Sequence, residues 1–154
     1  MGVGFPEITV GEPICWEGLA VFPLFAQAGG RLEYRLSDEA MAEGTVSVEE
    51  ISEAGSVPNL LVENKGSTRV LFLEGEELIG AKQNRILNTT VLVAAGSKTR
   101  IPVSCVERGR WGYRSPKFGS GGTHSPSRLR RILKGSVTAA LSAGRGHTSD
   151  QTGI

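Results

Sequence analysis

The sequence predicts a mainly β protein of the α+β class: an antiparallel β-sandwich or barrel-like sheet with two helices, a short one near 38–44 and a C-terminal one near 128–143. Two observations support this prediction. Most apolar segments are short, rich in branched and aromatic residues, and bounded by Gly, Pro or Ser. Helical periodicity is sustained in one late segment. The 154 residues, 39% of them hydrophobic, suit a single domain over 1–154 with a core of its own.

The strand pattern recurs along most of the chain. The predicted strands, in order, are 7–11, 18–26, 31–37, 45–52, 59–65, 68–78, 85–94 and 98–107. Gly66 in "NKGS" and Gly96 in "AGS" allow tight turns between neighbouring strands. Between strands, "DEAMAEG" predicts one or two helical turns with Ser37 as the N-cap.

The C-terminal helix has the clearest pattern. In "SRLRRILKGSVTAALSAG" the apolar residues return at helical spacing, with Ser127 as the predicted N-cap and Gly144 as the stop. Beyond about residue 145 no periodicity remains, so we expect a flexible or truncated tail.

Composition narrows the class of protein. The longest apolar run, "LAVFPLFA", is too short to span a membrane, and the start lacks a secretory signal. Two cysteines make no disulfide framework, so we expect a cytoplasmic protein without a membrane partner. Residues 1–80 carry four Lys/Arg against fourteen Asp/Glu, a net charge of −10, and residues 81–154 carry +11. This split predicts either pairing of the two halves or an anionic partner.

The stretch "LEGEELIGAKQNRILN", 73–88, concentrates charged and amide side chains. If 69–76 is one strand, Glu74 and Glu76 share a face, where two carboxylates do acid–base work or hold a metal such as Mg²⁺. Gly80 allows a reversal that returns the basic and amide side chains toward them. The alternative is a solvated acidic edge paired with nearby bases.

Two other segments carry candidate chemistry. "FGSGGTHSPS", 118–127, predicts a flexible loop before a helix start that bears Arg128, Arg130 and Arg131, which together suit a phosphate. Cys105 in "IPVSCVERGRW" is either a core residue or a nucleophile, and no sequence neighbour supplies its base. Trp111 is placed to stack on a base or to cover the sheet.

The blocks "EGEELIGAKQNRILN" and "IPVSCVERGRW" resemble a family of domains of unknown function, named for its association with ADP-ribosylglycohydrolase and rhodanese-phosphatase genes. The resemblance extends over about 10–150 and implies a place in NAD-consuming or ADP-ribose metabolism. Members of this family continue with a further helical segment after a "SDQ" such as 149–151. The resemblance carries no settled activity, but these blocks include the charged and amide residues noted above. From both together, the catalytic candidates are Glu74, Glu76 and Glu107, and the ligand-binding candidates are Lys82, Gln83, Asn84, Arg85, Asn88, Arg110 and Trp111.

Two functions follow as hypotheses. The first is binding, with hydrolysis or transfer, of an ADP-ribose- or NAD-derived phosphorylated nucleotide; a nucleic acid is not an expected partner. The second is a non-catalytic interaction module that self-associates as a homo-oligomer or docks an acidic partner through its oppositely charged halves.

Overall fold

The computed structural model describes residues 6–27, 32–51, 58–80, 83–106, 115 and 117–150. Contacts divide the chain into two compact units, one ending at Leu32 and the other beginning at Glu33.

The first unit is a two-stranded ribbon built from two nested antiparallel pairs. Its strands are β1 (Ile8–Val10), β2 (Ile14–Trp16), β3 (Leu19–Val21) and β4 (Leu24–Ala26). β1 pairs with β4 and β2 pairs with β3. The predicted strand 18–26 is therefore wrong as one element, because it breaks before Pro23, which has no N–H to give to a ladder.

The second unit contains the remaining elements. They are β5 (Tyr34–Leu36), α1 (Ser37–Ala42), β6 (Val46–Glu50), β7 (Asn59–Asn64), β8 (Arg69–Phe72), β9 (Glu76–Gly80), β10 (Arg85–Leu87), β11 (Val91–Val93), β12 (Ser97–Cys105), β13 (Lys117–His124) and α2 (Ser127–Ser142).

Six of these strands close into a barrel in the order β10-β12-β7-β6-β13-β9, and every neighbouring pair is antiparallel. The mainly β class and the barrel-like sheet are confirmed, whereas the structure contains no sandwich among the residues described. A separate three-stranded sheet has the order β11-β8-β5, and its β5–β8 pair is parallel.

Alternation along the barrel strands sends one set of side chains inward. The inward residues form a main core with residues of the three-stranded sheet and α1; the cluster contains Ala40, Val46, Val48, Leu60, Val62, Val70, Phe72, Leu78, Leu87, Val93, Ile101, Val103 and Phe118. On the outer side of β10, Ile86 packs with Leu133 and Val137 of α2 in a second cluster. Helix α2 thus covers one side of the barrel.

Several sequence predictions need correction. The expected strand 68–78 is interrupted at 73–75, where a turn leads from β8 of the three-stranded sheet into β9 of the barrel. The expected strand 85–94 is interrupted at 88–90, where a turn leads from β10 of the barrel into β11 of the three-stranded sheet. Residues 118–124, expected as a loop, belong to β13, which pairs with both β6 and β9. Helix α1 spans 37–42 with Leu36 as its N-cap, and α2 spans 127–142 with Pro126 as its N-cap.

Gly144 does end α2, with φ of +69° and its N–H bonded to the carbonyl of Leu141. Neither helix in the described ranges is both long enough and apolar enough to cross a membrane.

Candidate functional site

The stretch 73–88 runs along the barrel and contributes to both of its ends. At one end β6, β9 and β12 finish and β7, β10 and β13 begin; we call it the Arg85 end. At the opposite end, the Glu76 end, β9 begins and β10 finishes. The acidic and the basic parts of the motif are therefore separated along the strands and have different surroundings.

At the Glu76 end the motif forms a turn that fixes neighbouring elements. Glu76 accepts hydrogen bonds from the Ser37 hydroxyl (2.6 Å) and the Leu73 amide (2.9 Å), so both of its oxygens have partners. Glu74 pairs with Lys134 of α2 at 2.6 Å. The expectation that Glu74 and Glu76 alternate along one strand is wrong, because β8 ends at Phe72 and Glu74 lies in the turn.

Gly75 makes this turn fit against α2. Its φ is +86°, and a Cβ there would lie 2.5 Å from Cδ of Arg130 and 3.5 Å from Oγ of Ser125. The Gly75 carbonyl also accepts a hydrogen bond from the Ser125 amide at 2.9 Å. The glycine thus permits the start of α2 to pack directly on the turn.

At the Arg85 end a guanidinium lies inside the barrel. Arg85 occupies the same side of β10 as the core residue Leu87, and only 1% of its surface is exposed. Its Nη2 donates to Oε1 of Glu50 at 3.2 Å, its Nη1 donates to Oε1 of Gln83 at 3.4 Å, and Nη1 also contacts Sγ of Cys105. Glu50 and Cys105 are the last residues of β6 and β12, so the closure of the barrel brings these side chains together.

The Arg85 end retains unsatisfied polar atoms. Nε of Arg85, Oε2 of Glu50 and Oδ1 of Asn84 are all buried and have no hydrogen-bond partner in the described part of the chain. Buried polar atoms are nearly always hydrogen-bonded in native proteins, so these three atoms call for partners that the described residues do not supply. Arg85 and Glu50 form the only ion pair between buried or nearly buried side chains among the described residues, with 1% and 13% of the side chains exposed.

The amide neighbours of Arg85 divide between the two sides of the strand. Gln83 contacts Arg85 inside, whereas Nδ2 of Asn84 donates to Oε1 of Glu77 at 3.5 Å. Oε2 of Glu77 accepts a hydrogen bond from Thr123 of β13. The predicted ligand-binding residues Gln83, Asn84 and Arg85 are therefore contiguous and largely buried, but only two of them touch each other.

Asn88 has a different role from its neighbours. It is fully buried, accepts a hydrogen bond from Ser104 and donates one to the His147 carbonyl at 2.9 Å. Ser104 also bonds to Ser149. These contacts attach the segment after α2 to the outer side of β10 and β12, so the expected flexible tail is, over 145–150, held against the barrel.

The remaining predicted residues lie outside the described parts of the chain: Lys82, Glu107, Arg110 and Trp111. No group of three or more His, Cys, Asp or Glu side chains in the described ranges is arranged to hold a metal ion. His124 lies opposite Glu76 in the β13–β9 pair, so it is not placed as a base for Cys105. His124 and Glu76 both line a small cavity of about 90 Å³.

Sequence reasoning missed Glu50. It sits at the end of an ordinary amphipathic strand, and the alternation that places it inside with Val46 and Val48 is its one distinguishing signal. Glu50 follows Val48 at the spacing of residues on one face of a strand, and a carboxylate on the inward face is rarely buried without a polar partner.

Residues 7–154 match the model of the ARPP-1 family, the ARG and Rhodanese-Phosphatase-superfamily-associated Protein domain, and the chain belongs to this family. Comparison with curated proteins and with solved structures gives no match.

Proposed function

We propose that this member of the ARG and rhodanese-phosphatase-superfamily-associated family binds an ADP-ribose- or NAD-derived phosphorylated nucleotide at the Arg85 end of the barrel, and hydrolyses or transfers it in NAD-consuming metabolism. The observation that carries the proposal is the buried Arg85 guanidinium with its unpaired Nε. The family name adds an association with enzymes of ADP-ribose chemistry.

Arg85 is the residue we assign to the pyrophosphate. A guanidinium offers several N–H donors in a fixed plane, which matches phosphate oxygens, and such charge-assisted bonds strengthen where water is excluded. Gln83, which meets Arg85 inside the barrel, is assigned to ribose hydroxyls, because a site built to hydrogen-bond a hydroxyl rejects an analogue that lacks it. Asn84, on the other side of the strand, stays a ligand-binding candidate with its unpaired Oδ1. Lys82, which precedes Gln83, and Arg110 and Trp111, which follow β12 in the sequence, remain ligand-binding candidates.

Glu50 is the carboxylate that we assign to acid–base work. Its Oε2 is unpaired among the described residues, and its Oε1 contacts Arg85, so it lies beside the assigned phosphate group. Glu74 is paired with Lys134, and Glu76 accepts hydrogen bonds from Ser37 and the Leu73 amide. These contacts suit a structural role, in which Glu74 attaches α2 and Glu76 attaches α1 to the turn before β9. Glu107 stays a catalytic candidate.

The binding test compares Arg85→Lys with Arg100→Lys by calorimetry. Lysine keeps the charge but loses the planar fork, so about 1.5–3 kcal/mol of ADP-ribose binding, or roughly 10- to 150-fold in Kd, should be lost at position 85. Arg100, an exposed arginine on the same barrel, is the matched control and should keep the wild-type Kd. AMP, sulfate and Mg²⁺ serve as ligand controls. Equal affinities for both folded variants and the wild type would refute the assignment.

Turnover is tested on the same proteins by chromatography of ADP-ribose and NAD after incubation. We expect Glu50→Gln to retain binding and to lose turnover, because it removes a proton-accepting oxygen while preserving shape. A Glu50→Gln protein as active as the wild type would remove Glu50 from the reaction.

The second candidate function is the interaction module, favoured by the start of α2. Arg128, Arg130 and Arg131 are exposed and make no ion pair within the described ranges, and the first turn contains no acidic residue. Basic charge near the positive end of a helix is unfavourable unless an anion compensates it. Retention of the wild type, but not of Arg128→Glu/Arg131→Glu, on an immobilised polyglutamate matrix would support docking of an acidic partner, and equal retention would contradict it.

A further inference from the structure

The ribbon of the first unit exposes an unusual amount of apolar surface. Its large hydrophobic side chains are 47–75% exposed; they are Ile8, Val10, Ile14, Trp16, Leu19, Val21, Phe22, Leu24 and Phe25. No residue described in 6–27 is buried. Isolated two-stranded hairpins are at best marginally stable in water, so a ribbon of this composition requires a surface to pack against.

Pairing places most of these side chains on one face of each half of the ribbon. Opposed across β1 and β4 are Ile8 with Ala26 and Val10 with Leu24, which leaves Thr9 and its cross-strand partner Phe25 on the other face. Opposed across β2 and β3 are Ile14 with Val21 and Trp16 with Leu19. Each half therefore has an apolar face, as in a sheet that packs against another element.

The area is sufficient for a stable protein interface. With about 150–250 Å² for an aromatic side chain and somewhat less for an aliphatic one, the seven large apolar residues on these faces together expose roughly 800 Å². The largest apolar patch of a typical monomer is about 300–600 Å², and a stable interface buries about 800 Å² from each partner. The apolar area of the ribbon exceeds the largest patch of a typical monomer and reaches the area that each partner buries in a stable interface.

Charge indicates which surface the ribbon meets. Residues 6–27 contain Glu7, Glu12 and Glu17 and no Lys or Arg, so two ribbons packed on each other would bring like charges together. The outer side of α2 has the opposite charge, with Arg128 and Arg131 exposed beside Ile132, which is 38% exposed. Acidic residues around an apolar face and basic residues around an exposed isoleucine are complementary.

We infer that the chain forms a homodimer in which the ribbon of each copy docks on the exposed side of α2 of the other. Every copy carries both complementary surfaces, so in such a dimer each copy supplies one ribbon and one α2 surface, and the two contacts are identical. The inference rests on the interaction function proposed above and names its partner as a second copy of this chain.

The first test is the mass in solution, measured by light scattering on the full chain. The wild type should have twice the 16.3 kDa chain mass. The dimer should weaken between about 0.1 M and 1 M salt, because the screening length falls from about 10 Å to about 3 Å. Trp16→Glu and Leu24→Glu should have the mass of one chain, whereas Thr9→Glu, which adds the same charge on the opposite face, should remain a dimer. A wild type with the mass of one chain throughout the micromolar range would overturn the inference.

The second test separates docking from a loss of folding. Arg128→Glu/Arg131→Glu alters only exposed side chains of α2 and should also have the mass of one chain, while Arg100→Glu should not. Mixing a ribbon variant with the α2 variant restores one intact contact, so mixed dimers should form between proteins that are monomeric alone. Absence of mixed dimers would overturn the inference. If the wild type is monomeric and still binds polyglutamate through Arg128 and Arg131, the interaction function stands and the homodimer does not.

Discussion

Replacing Glu50 by glutamine should leave the Arg85 charge buried without its ionic partner. The two side chains are 1% and 13% exposed and lie 3.2 Å apart, where the Coulomb attraction is about 5 kcal/mol at an effective dielectric constant of about 20. Removing one partner of a buried pair lowers the free energy of unfolding by about 3–5 kcal/mol. We expect the lower value, about 3 kcal/mol, because Glu50 is partly exposed and the Gln carbonyl can still accept a hydrogen bond from Arg85. In a chain of this size, that corresponds to a melting temperature lower by roughly 6–12 °C.

Urea and thermal unfolding measure this loss, with Glu49→Gln as the control. Glu49 is the adjacent residue of β6, and it pairs with Lys117 at 3.4 Å between exposed side chains, so its replacement should cost under about 1 kcal/mol. Replacing the pair by Arg85→Met with Glu50→Leu should recover most of the lost stability, because apolar side chains avoid the desolvation of two charges. If Glu50→Gln unfolds at the same urea concentration as Glu49→Gln, Glu50 is not what compensates Arg85, and the account of this end of the barrel is refuted.

Two further substitutions test the elements that position the site. Gly80→Ala should destabilise the protein by several kcal/mol, because φ is +143° and the new Cβ would lie 2.5 Å from the Lys117 carbonyl oxygen. Gly96→Ala, at φ of +60° with nothing within 4 Å of the new Cβ, should cost only about 1–2 kcal/mol. Equal unfolding midpoints for the two variants would contradict this. Asn88→Ala should release the segment after α2, at a cost of about 1–3 kcal/mol, and speed trypsin cleavage after Arg145; cleavage at the wild-type rate would show that other contacts hold the segment.

Local patterns in the sequence predict the class of the fold and the position of its best helix. The apolar spacing of 128–143 predicts α2, and alternation predicts β6 and β7 to within a few residues. The interruptions at 73–75 and 88–90 were not predicted, because strand propensity continues through both turns and tertiary pairing decides which sheet each part joins. Likewise, the three glycines of 117–124 suggest a loop, but pairing on both sides with β6 and β9 makes the segment a barrel strand.

For the candidate site, the sequence predicts the kinds of side chain that take part but not which of them contact one another. Arg85 and Gln83 were candidates because charged and amide residues cluster in 73–88, and they do meet. Glu50 and Cys105 are 35 and 20 residues away from Arg85 along the chain. Pairing of β10 with β12 places Cys105 directly opposite Arg85, whereas closure of the barrel brings Glu50 to it. The carboxylates close in sequence separate: Glu74 binds Lys134 of α2, and Glu76 binds Ser37, the first residue of α1, because Glu74 lies in the turn before β9.

The two ends of the 73–88 motif therefore perform separable tasks, and the strands between them explain why the motif is continuous. β9 and β10 form one antiparallel pair, in which Arg85 lies opposite Leu78, so the residues that fix the turn at Glu76 and the residue that enters the barrel belong to the same hairpin. A change at Gly75 disturbs the packing of α2 and should lower stability with little effect on the affinity for ligand of the folded protein. A change from arginine to lysine at position 85 should instead lower the affinity for ligand more than it lowers stability. The motif thus combines a structural turn at Glu76 with a buried cation at Arg85, and the proposed ligand site lies only at the Arg85 end.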